Sequence, residues 1–308
     1  MIPTRRGLLV GAGAIGLAGC GQPTPARAEA PIEALIQAPI QGGALSAGSG
    51  APPVGLILNG AWRQGGFALG RTTPRAPILV DGVPVGTASA RGLFVVGFDR
   101  DAPARVVIQA GDGPAFARTL DIVTGTFPSS RIDGLPPETV TPSDPVLLAR
   151  IEREVTLKTE GFASCADTDD FRDGFAWPLE TYRISSLWGA QRVLNGTPAR
   201  PHYGTDLAAP VGTVILAPAA GVVCFARTGM LFEGGLTLID HGQGLISDYL
   251  HQSAVDVVVG QRVERGQPIG RVGMEGRATG PHLCWRMKWR DRNLDPSLMV
   301  GVRAPDAT

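Results

Sequence analysis

The stretch "GPHLCW", residues 280–285, sets His282 and Cys284 two positions apart with Leu283 between them. Upstream, "HYGTD" sets His202 and Asp206 four apart, and His251 ends the apolar run "LISDYLH". Imidazole, carboxylate and thiolate are the three side-chain ligands of zinc, and a neutral imidazole is also a general base near neutral pH. With only four histidines and four cysteines in 308 residues, a cluster of them carries weight. Taken singly, each motif is weak. A histidine at a strand end is more often a surface or hydrogen-bonding residue, and His-x3-Asp or His-x-Cys arises by chance. The fourth histidine, His241 in "IDHGQG", reads as a residue of a hairpin turn.

The elements that carry these residues are extended. "PHLCWRMKW" alternates, with Leu283, Trp285, Met287 and Trp289 on one face and His282, Cys284, Arg286 and Lys288 on the other. That is the pattern of a half-buried strand, and it aims His282 and Cys284 to the same side. In "HYGTDLAAPVG" the glycines and proline argue against a helix, so 202, 204 and 206 face one way. Gly204 then lies between the two side chains and leaves room for an ion. Tyr249 and His251 share a face at the end of their strand. The order His-x3-Asp, then an isolated His after an apolar-Tyr strand, then Gly-Pro-His-x-Cys is what raises the set above chance.

That ordered set resembles the lysostaphin-like, or LytM-domain, zinc endopeptidases. The resemblance covers about residues 183–290 and includes "HYGTDLAAPVGTVILAPAAGVV", "LTLIDHGQGLISDYLH", "VVVGQRVERGQPIGRVG" and "ATGPHLCW". It implies a β-sheet groove with one zinc ion at its floor and cleavage of peptide cross-links in bacterial peptidoglycan. It further implies that His202 and Asp206 bind the metal, and that His251 and His282 flank the water that the metal activates. The third ligand of that family is a second histidine in His-x-His, and here Cys284 stands in its place. Cysteine binds zinc as thiolate. Two histidines and a carboxylate leave a zinc site at net +1, whereas one histidine, a carboxylate and a thiolate leave it neutral. The departure implies slower turnover or a higher pH optimum.

Two other functions compete. A degenerate family member would act as a cell-wall binding module or a regulator of other hydrolases. A biotinyl- or lipoyl-like carrier is suggested by "VGQRVERGQPIG", but a carrier needs its lysine at an exposed hairpin turn, and Lys288 lies within an alternating strand. Retention of His202, Asp206, His251 and His282 favours the enzyme.

Charged residues make up 18% of the chain and the formal net charge is zero, which points away from a nucleic-acid partner. Forty-two glycines and 26 prolines punctuate short apolar runs, so the chain reads as mainly β. Residues 1–28 read as an export segment. Arg5 and Arg6 precede the short apolar stretch Leu8 to Ala18, which resembles a twin-arginine signal. "LAGC" resembles a lipoprotein box and marks Cys20 for lipidation, with cleavage after Ala28 as the rival. Either route predicts an exported protein on the periplasmic face of the envelope, held to a membrane if Cys20 carries lipid. Residues 29–53 read as a tether.

Residues 54–125 hold short β runs separated by turn signals such as Asn59-Gly60 and Asp81-Gly82, which predict a small immunoglobulin-like sandwich. Residues 126–173 form a linker with one helix. Asp144 is its N-cap before Pro145, its apolar face is Leu147, Leu148, Ile151 and Val155, and Glu154 pairs with Lys158. The peptidase-like domain spans 174–301, with 302–308 a tail. With Cys20 lipidated, Cys165, Cys224 and Cys284 remain; metal ligation by Cys284 leaves the other two free to pair.

Overall fold

The computed structural model describes residues 55–306. Cys20, the paired arginines, the Ala28 cleavage site and the tether lie outside the described residues.

Seven short strands open the described chain: β1 (Ile57–Ala61), β2 (Phe67–Arg71), β3 (Pro77–Val80), β4 (Val83–Thr87), β5 (Leu93–Gly97), β6 (Arg105–Ala110) and β7 (Ala117–Asp121). They form two antiparallel sheets, ordered β1-β2-β5 and β4-β3-β6-β7. Asp81 and Gly82 make the β3–β4 hairpin with φ of 51° and 78°. Two successive positive φ values belong to the tight turn whose twist matches its strands. Asn59-Gly60 does not turn. The pair lies inside β1, opposite Leu69 and Ala68, and the Asn59 side chain donates to the Arg303 carbonyl at 2.9 Å. The strand that pairs with it, β2, reads "FALGR"; it lacks β-branched residues, and only burial reveals it.

β8 (Ser129–Ile132), α1 (Pro137–Val140) and α2 (Pro145–Phe162) follow. Asp144 caps α2, its carboxylate accepting from Val146 N at 3.0 Å, with Pro145 in the first turn. The face of α2 turned inward differs from the one its apolar residues predict. Val155 and Leu148 are exposed, while Gly161 is buried and Leu157 and Phe162 pack on the protein. Gly161 decides this, because a Cβ there would come within 3.0 Å of Leu238 and 3.2 Å of Phe225. The closest approach of helix to sheet is therefore at the glycine, and Leu148 and Val155 rotate away. Nor do Glu154 and Lys158 pair with each other. Glu154 takes Arg150 at 2.8 Å and the Leu231 amide, and Lys158 pairs with Glu233.

The remaining strands are β9 (Arg183–Ser186), β10 (Gln191–Leu194), β11 (Thr197–Pro198), β12 (Thr205–Ala208), β13 (Val214–Leu216), β14 (Gly221–Met230) and β15 (Gly234–Asp240). They continue with β16 (Leu245–Gln252), β17 (Ala254–Val255), β18 (Arg262–Val263), β19 (Pro268–Arg271), β20 (His282–Trp289) and β21 (Arg292–Leu294). The main sheet runs β18-β14-β15-β16-β20-β12-β9, with β21 beside β20. β13, β19 and β17 form a small second sheet. Alternation along β16 and β20 separates two apolar clusters. Tyr249, Leu283, Trp285, Met287 and Trp289 enter the larger core, whereas Ile246, Leu250 and Cys284 face the cluster that α2 covers.

The larger core continues without a break into the N-terminal strands, taking in Phe67, Leu69, Phe94, Val96 and Ile108. Hydrogen bonds stitch the same boundary. Arg292 donates to Gly97 O at 2.9 Å, Asn293 N to Asp99 at 2.8 Å, and Asp295 N to Gly65 O at 2.7 Å. The linker also joins the second half, since β8 pairs in parallel with β10. Val302 and Ala304 of the tail are buried.

Candidate metal centre

β12 and β20 lie side by side, antiparallel, with Asp206 opposite Cys284. This register places the first and last motifs against each other, although 82 residues separate His202 from Cys284. His202 stands in the turn entering β12. Ligand-capable atoms of His202, Asp206 and Cys284 all lie within 4.8 Å of one another, and all three residues are buried. His202 Nε2 is 3.0 Å from Asp206 Oδ1 and 3.3 Å from Cys284 Sγ. Gly204 makes this approach possible. A Cβ there would stand 2.7 Å from Cys284 Sγ and 2.9 Å from Arg286 Cγ, so the expected space between His202 and Asp206 is used by the sulfur.

His251 and His282 sit beside this triad, their ring centroids 4.7 Å apart. His251, next to last in β16, has φ of 66°, a left-handed conformation uncommon outside glycine and a mark of functional positions. Its amide donates to Glu233 O at 2.7 Å, which holds the bend. Its Nδ1 meets the Glu275 carbonyl at 2.7 Å, and His282 Nδ1 meets the Gly280 carbonyl at 2.8 Å. A carbonyl only accepts, so both Nδ1 atoms carry the proton and both Nε2 atoms present a lone pair when the ring is neutral. His282 Nε2 lies 3.8 Å from Asp206 Oδ1. His202 Nδ1 in turn meets the Ser186 hydroxyl at 3.2 Å.

Burial sets the protonation of these groups. It pushes His202 below the ordinary histidine value and carries His251 down to about 3, so the His251 imidazole is neutral at pH 7. Asp206 is buried, yet the neighbouring His202 holds its carboxyl well below the usual carboxylate range. Burial pushes the Cys284 thiol up to about 12.

The donor set fits a divalent metal. Asp206 Oδ1 is buried and accepts no hydrogen bond, while its other oxygen, Oδ2, takes Arg192 Nη2 at 3.2 Å. An ionised oxygen that accepts no hydrogen bond, beside an imidazole nitrogen and a sulfur, is a donor set that a cation would satisfy. A metal would also lower the thiol, because a coordinated thiol is deprotonated outright.

His241 is absent from this group. It follows β15 at the expected turn, but it is fully buried. Its ring accepts and donates between Ala220 O and the Ser247 hydroxyl, each at 2.7 Å, with Phe175 edge-on at 4.9 Å. Cys165 is exposed, Cys224 half-buried, and neither is in a disulfide among the described residues. Two arginines enter the site that are not among the expected site residues. Arg192 comes from β10 with no local signal. Arg286 was legible only as a residue on the same strand face as Cys284, and its Nε donates to that sulfur at 3.4 Å.

The triad and the two imidazoles line a groove of about 630 Å³, whose far wall includes Val155, Lys158 and Phe162 of α2. Fold and site together define a β-sheet protein with a buried His-Asp-Cys centre at the floor of an open groove. Comparison with known proteins gives the family. The profile of peptidase family M23 matches residues 200–296. A crystal structure of a putative peptidase M23 from Pseudomonas aeruginosa superposes with a TM-score of 0.58 at 30% identity, covering 78% of this chain and 95% of that one. The chain belongs to peptidase family M23. It is 40% identical over 121 residues to the peptidoglycan DD-endopeptidase ShyA of Vibrio cholerae, a match covering 39% of this chain and 28% of that protein. It is 32% identical over 132 residues to the cell division protein DipM of Caulobacter vibrioides, covering 41% and 21%. The chain thus spans about a quarter of the length of these curated relatives. Among the described residues no helix is long and apolar enough to cross a membrane.

Proposed function

We propose that the protein is a zinc-dependent endopeptidase that hydrolyses peptide cross-links of bacterial peptidoglycan. One observation carries this reading: three ligand-capable atoms and two imidazole lone pairs converge on the floor of one groove. The 40% identity to a peptidoglycan DD-endopeptidase supports the substrate class. In this reading His202, Asp206 and Cys284 hold the zinc, and His251 and His282 are the catalytic residues. Zinc, when bound, supplies Lewis acidity toward water and the scissile carbonyl.

The rest falls to the chain's own groups. His251, neutral at pH 7 with Nδ1 tied to Glu275 O, offers Nε2 as proton acceptor. It takes a proton from the attacking water as the oxygen adds to the carbonyl carbon. The same proton then passes to the leaving amine as the C–N bond breaks, so imidazole is regenerated. His282, tied in the same way to Gly280 O, offers its own Nε2 to the attacking water and orients it. Arg192 fixes Asp206 through the oxygen that faces away from the triad. Export to the periplasmic face, with a lipid on Cys20, completes the proposal.

The departure at Cys284 favours a second reading, a non-catalytic cell-wall binding module or regulator. Zinc content of the purified protein, measured beside cleavage of purified peptidoglycan, separates the two. About one zinc per chain with release of cross-linked peptides supports the enzyme; a zinc-free protein that binds but does not cut overturns it.

A further inference from the structure

Arg286 follows Cys284 by two positions on β20, so both side chains leave the same face of the strand. Its Nε donates to Cys284 Sγ at 3.4 Å. The same glycine admits both, since a Cβ at Gly204 would meet the sulfur at 2.7 Å and the arginine stem at 2.9 Å. Across the strand register Arg286 stands opposite Asp248. That carboxylate is only 4% exposed, and its Oδ1 accepts no hydrogen bond. The guanidinium therefore rests on the sulfur, with a buried acid on the neighbouring strand, and all three line the groove.

Sulfur brings a charge that imidazole does not. A divalent ion on His202, Asp206 and a Cys284 thiolate is neutral as a unit, whereas a second histidine at 284 would leave it at +1. A guanidinium in hydrogen-bonding contact with the sulfur returns that positive charge to the site. It also draws electron density away from the thiolate, as outer partners of metal ligands do. Arginine suits the task because it stays ionised when buried and its planar fork keeps a fixed direction.

We infer that Arg286 is a positioning residue for the metal centre: it fixes Cys284 Sγ and offsets the thiolate charge, so that Cys284 and Arg286 act as a pair. The inference rests on Cys284 being a metal ligand. It goes beyond that reading by tying the unusual ligand to a second residue. Changing Cys284 to histidine alone would then set an imidazole-bound cation against a guanidinium without the thiolate charge between them.

The test uses the full-length protein loaded with cobalt(II), whose sulfur-to-metal charge-transfer band reports on the thiolate. Arg286→Met removes the donor and should move that band to longer wavelength, because the sulfur electrons are no longer held by a hydrogen bond. Arg286→Lys keeps the charge without the fork and should fall between; it also covers the case in which Arg286→Met fails to fold. Zinc dissociation constants, from competition with a chromophoric chelator, supply a second readout. Arg286→Met should tighten zinc binding more in the Cys284→His background than in the wild type, by about tenfold. A band unmoved in both variants, with the same effect on zinc binding in both backgrounds, overturns the pair while leaving Cys284 a ligand. A wild-type cobalt protein with no sulfur-to-metal band overturns the ligand assignment itself, and the pair with it.

Discussion

Five side chains divide into two jobs by the direction of their free electron pairs. His202, Asp206 and Cys284 turn theirs toward one another, and His251 and His282 present Nε2 at the edge of that space. His202→Ala should therefore lose zinc. His251→Ala and His282→Ala should keep zinc while kcat/KM falls about 10²–10⁴-fold, the usual contribution of general acid–base groups. Zinc analysis and peptide release on the same preparations check this; equal zinc loss in all three variants would refute the division. His241 belongs to neither job. Burial depresses its pKa below 6.5, so below that pH the unfolded chain binds a proton that the native state refuses. Its contribution to stability is complete above about pH 6.5 and is lost as pH falls toward the folded value. The melting temperature of the metal-free protein should fall from pH 7 to pH 5. His241→Gln should flatten that slope, even as the lost hydrogen bonds to Ala220 and Ser247 cost about 1–3 kcal/mol at pH 7.

At the level of elements, the centre is a product of two neighbouring strands and the turn that enters one of them. β20 contributes His282 and Cys284 by alternation, and β12 brings Asp206 opposite the cysteine. The turn before β12 works only because Gly204 has no side chain. Gly204→Ala should push Cys284 Sγ and Arg286 away from the triad, and zinc affinity should fall at least tenfold while the overall fold persists. A metal titration with circular dichroism of the same variant checks both halves. Unchanged affinity would mean that the sulfur does not need the space. α2 has a structural share: Asp144→Ala removes the cap on Val146 N and should cost about 1 kcal/mol, read as a lower denaturation midpoint with zinc affinity unchanged.

At the level of the whole molecule, one apolar core runs from the N-terminal strands into the sheet that bears the centre. All five site residues lie after residue 201, so a fragment of 174–308 contains every proposed ligand. Its stability is another matter. Removing 55–173 would uncover Trp289 and Leu294, which stand within 3.2 Å of a Cβ built on Gly97, would strip Arg292 and Asn293 of their partners, and would take away Leu157 and Phe162 of α2. The fragment should bind zinc yet denature at lower urea than the full chain. Zinc should restore part of the loss, by about 4 kcal/mol at a thousandfold excess over Kd. A fragment as stable as the full chain would show that the shared core contributes nothing.

Much of the centre was legible in the sequence because strands have a period of two. "PHLCWRMKW" fixes which residues share a side regardless of what packs on them, so His282, Cys284 and Arg286 could be placed together from spacing alone. The cap of α2 and the Asp81-Gly82 turn were legible for the same reason: both are decided by bonds within a few residues. What needed the tertiary structure was decided by partners distant in sequence. Asn59-Gly60 has the composition of a turn, but pairing with β2 keeps it in a strand. The buried face of α2 follows from close contact of Gly161 with Leu238 and Phe225, not from the helix's own apolar residues. His241 sits in a turn, as its neighbours predict, yet its burial comes from Phe175 and Ser247. Arg192 reaches Asp206 from a separate hairpin, and no spacing rule could have joined them. Local geometry propagates along the chain over one or two residues, whereas charge neutralisation and burial depend on what the fold brings near.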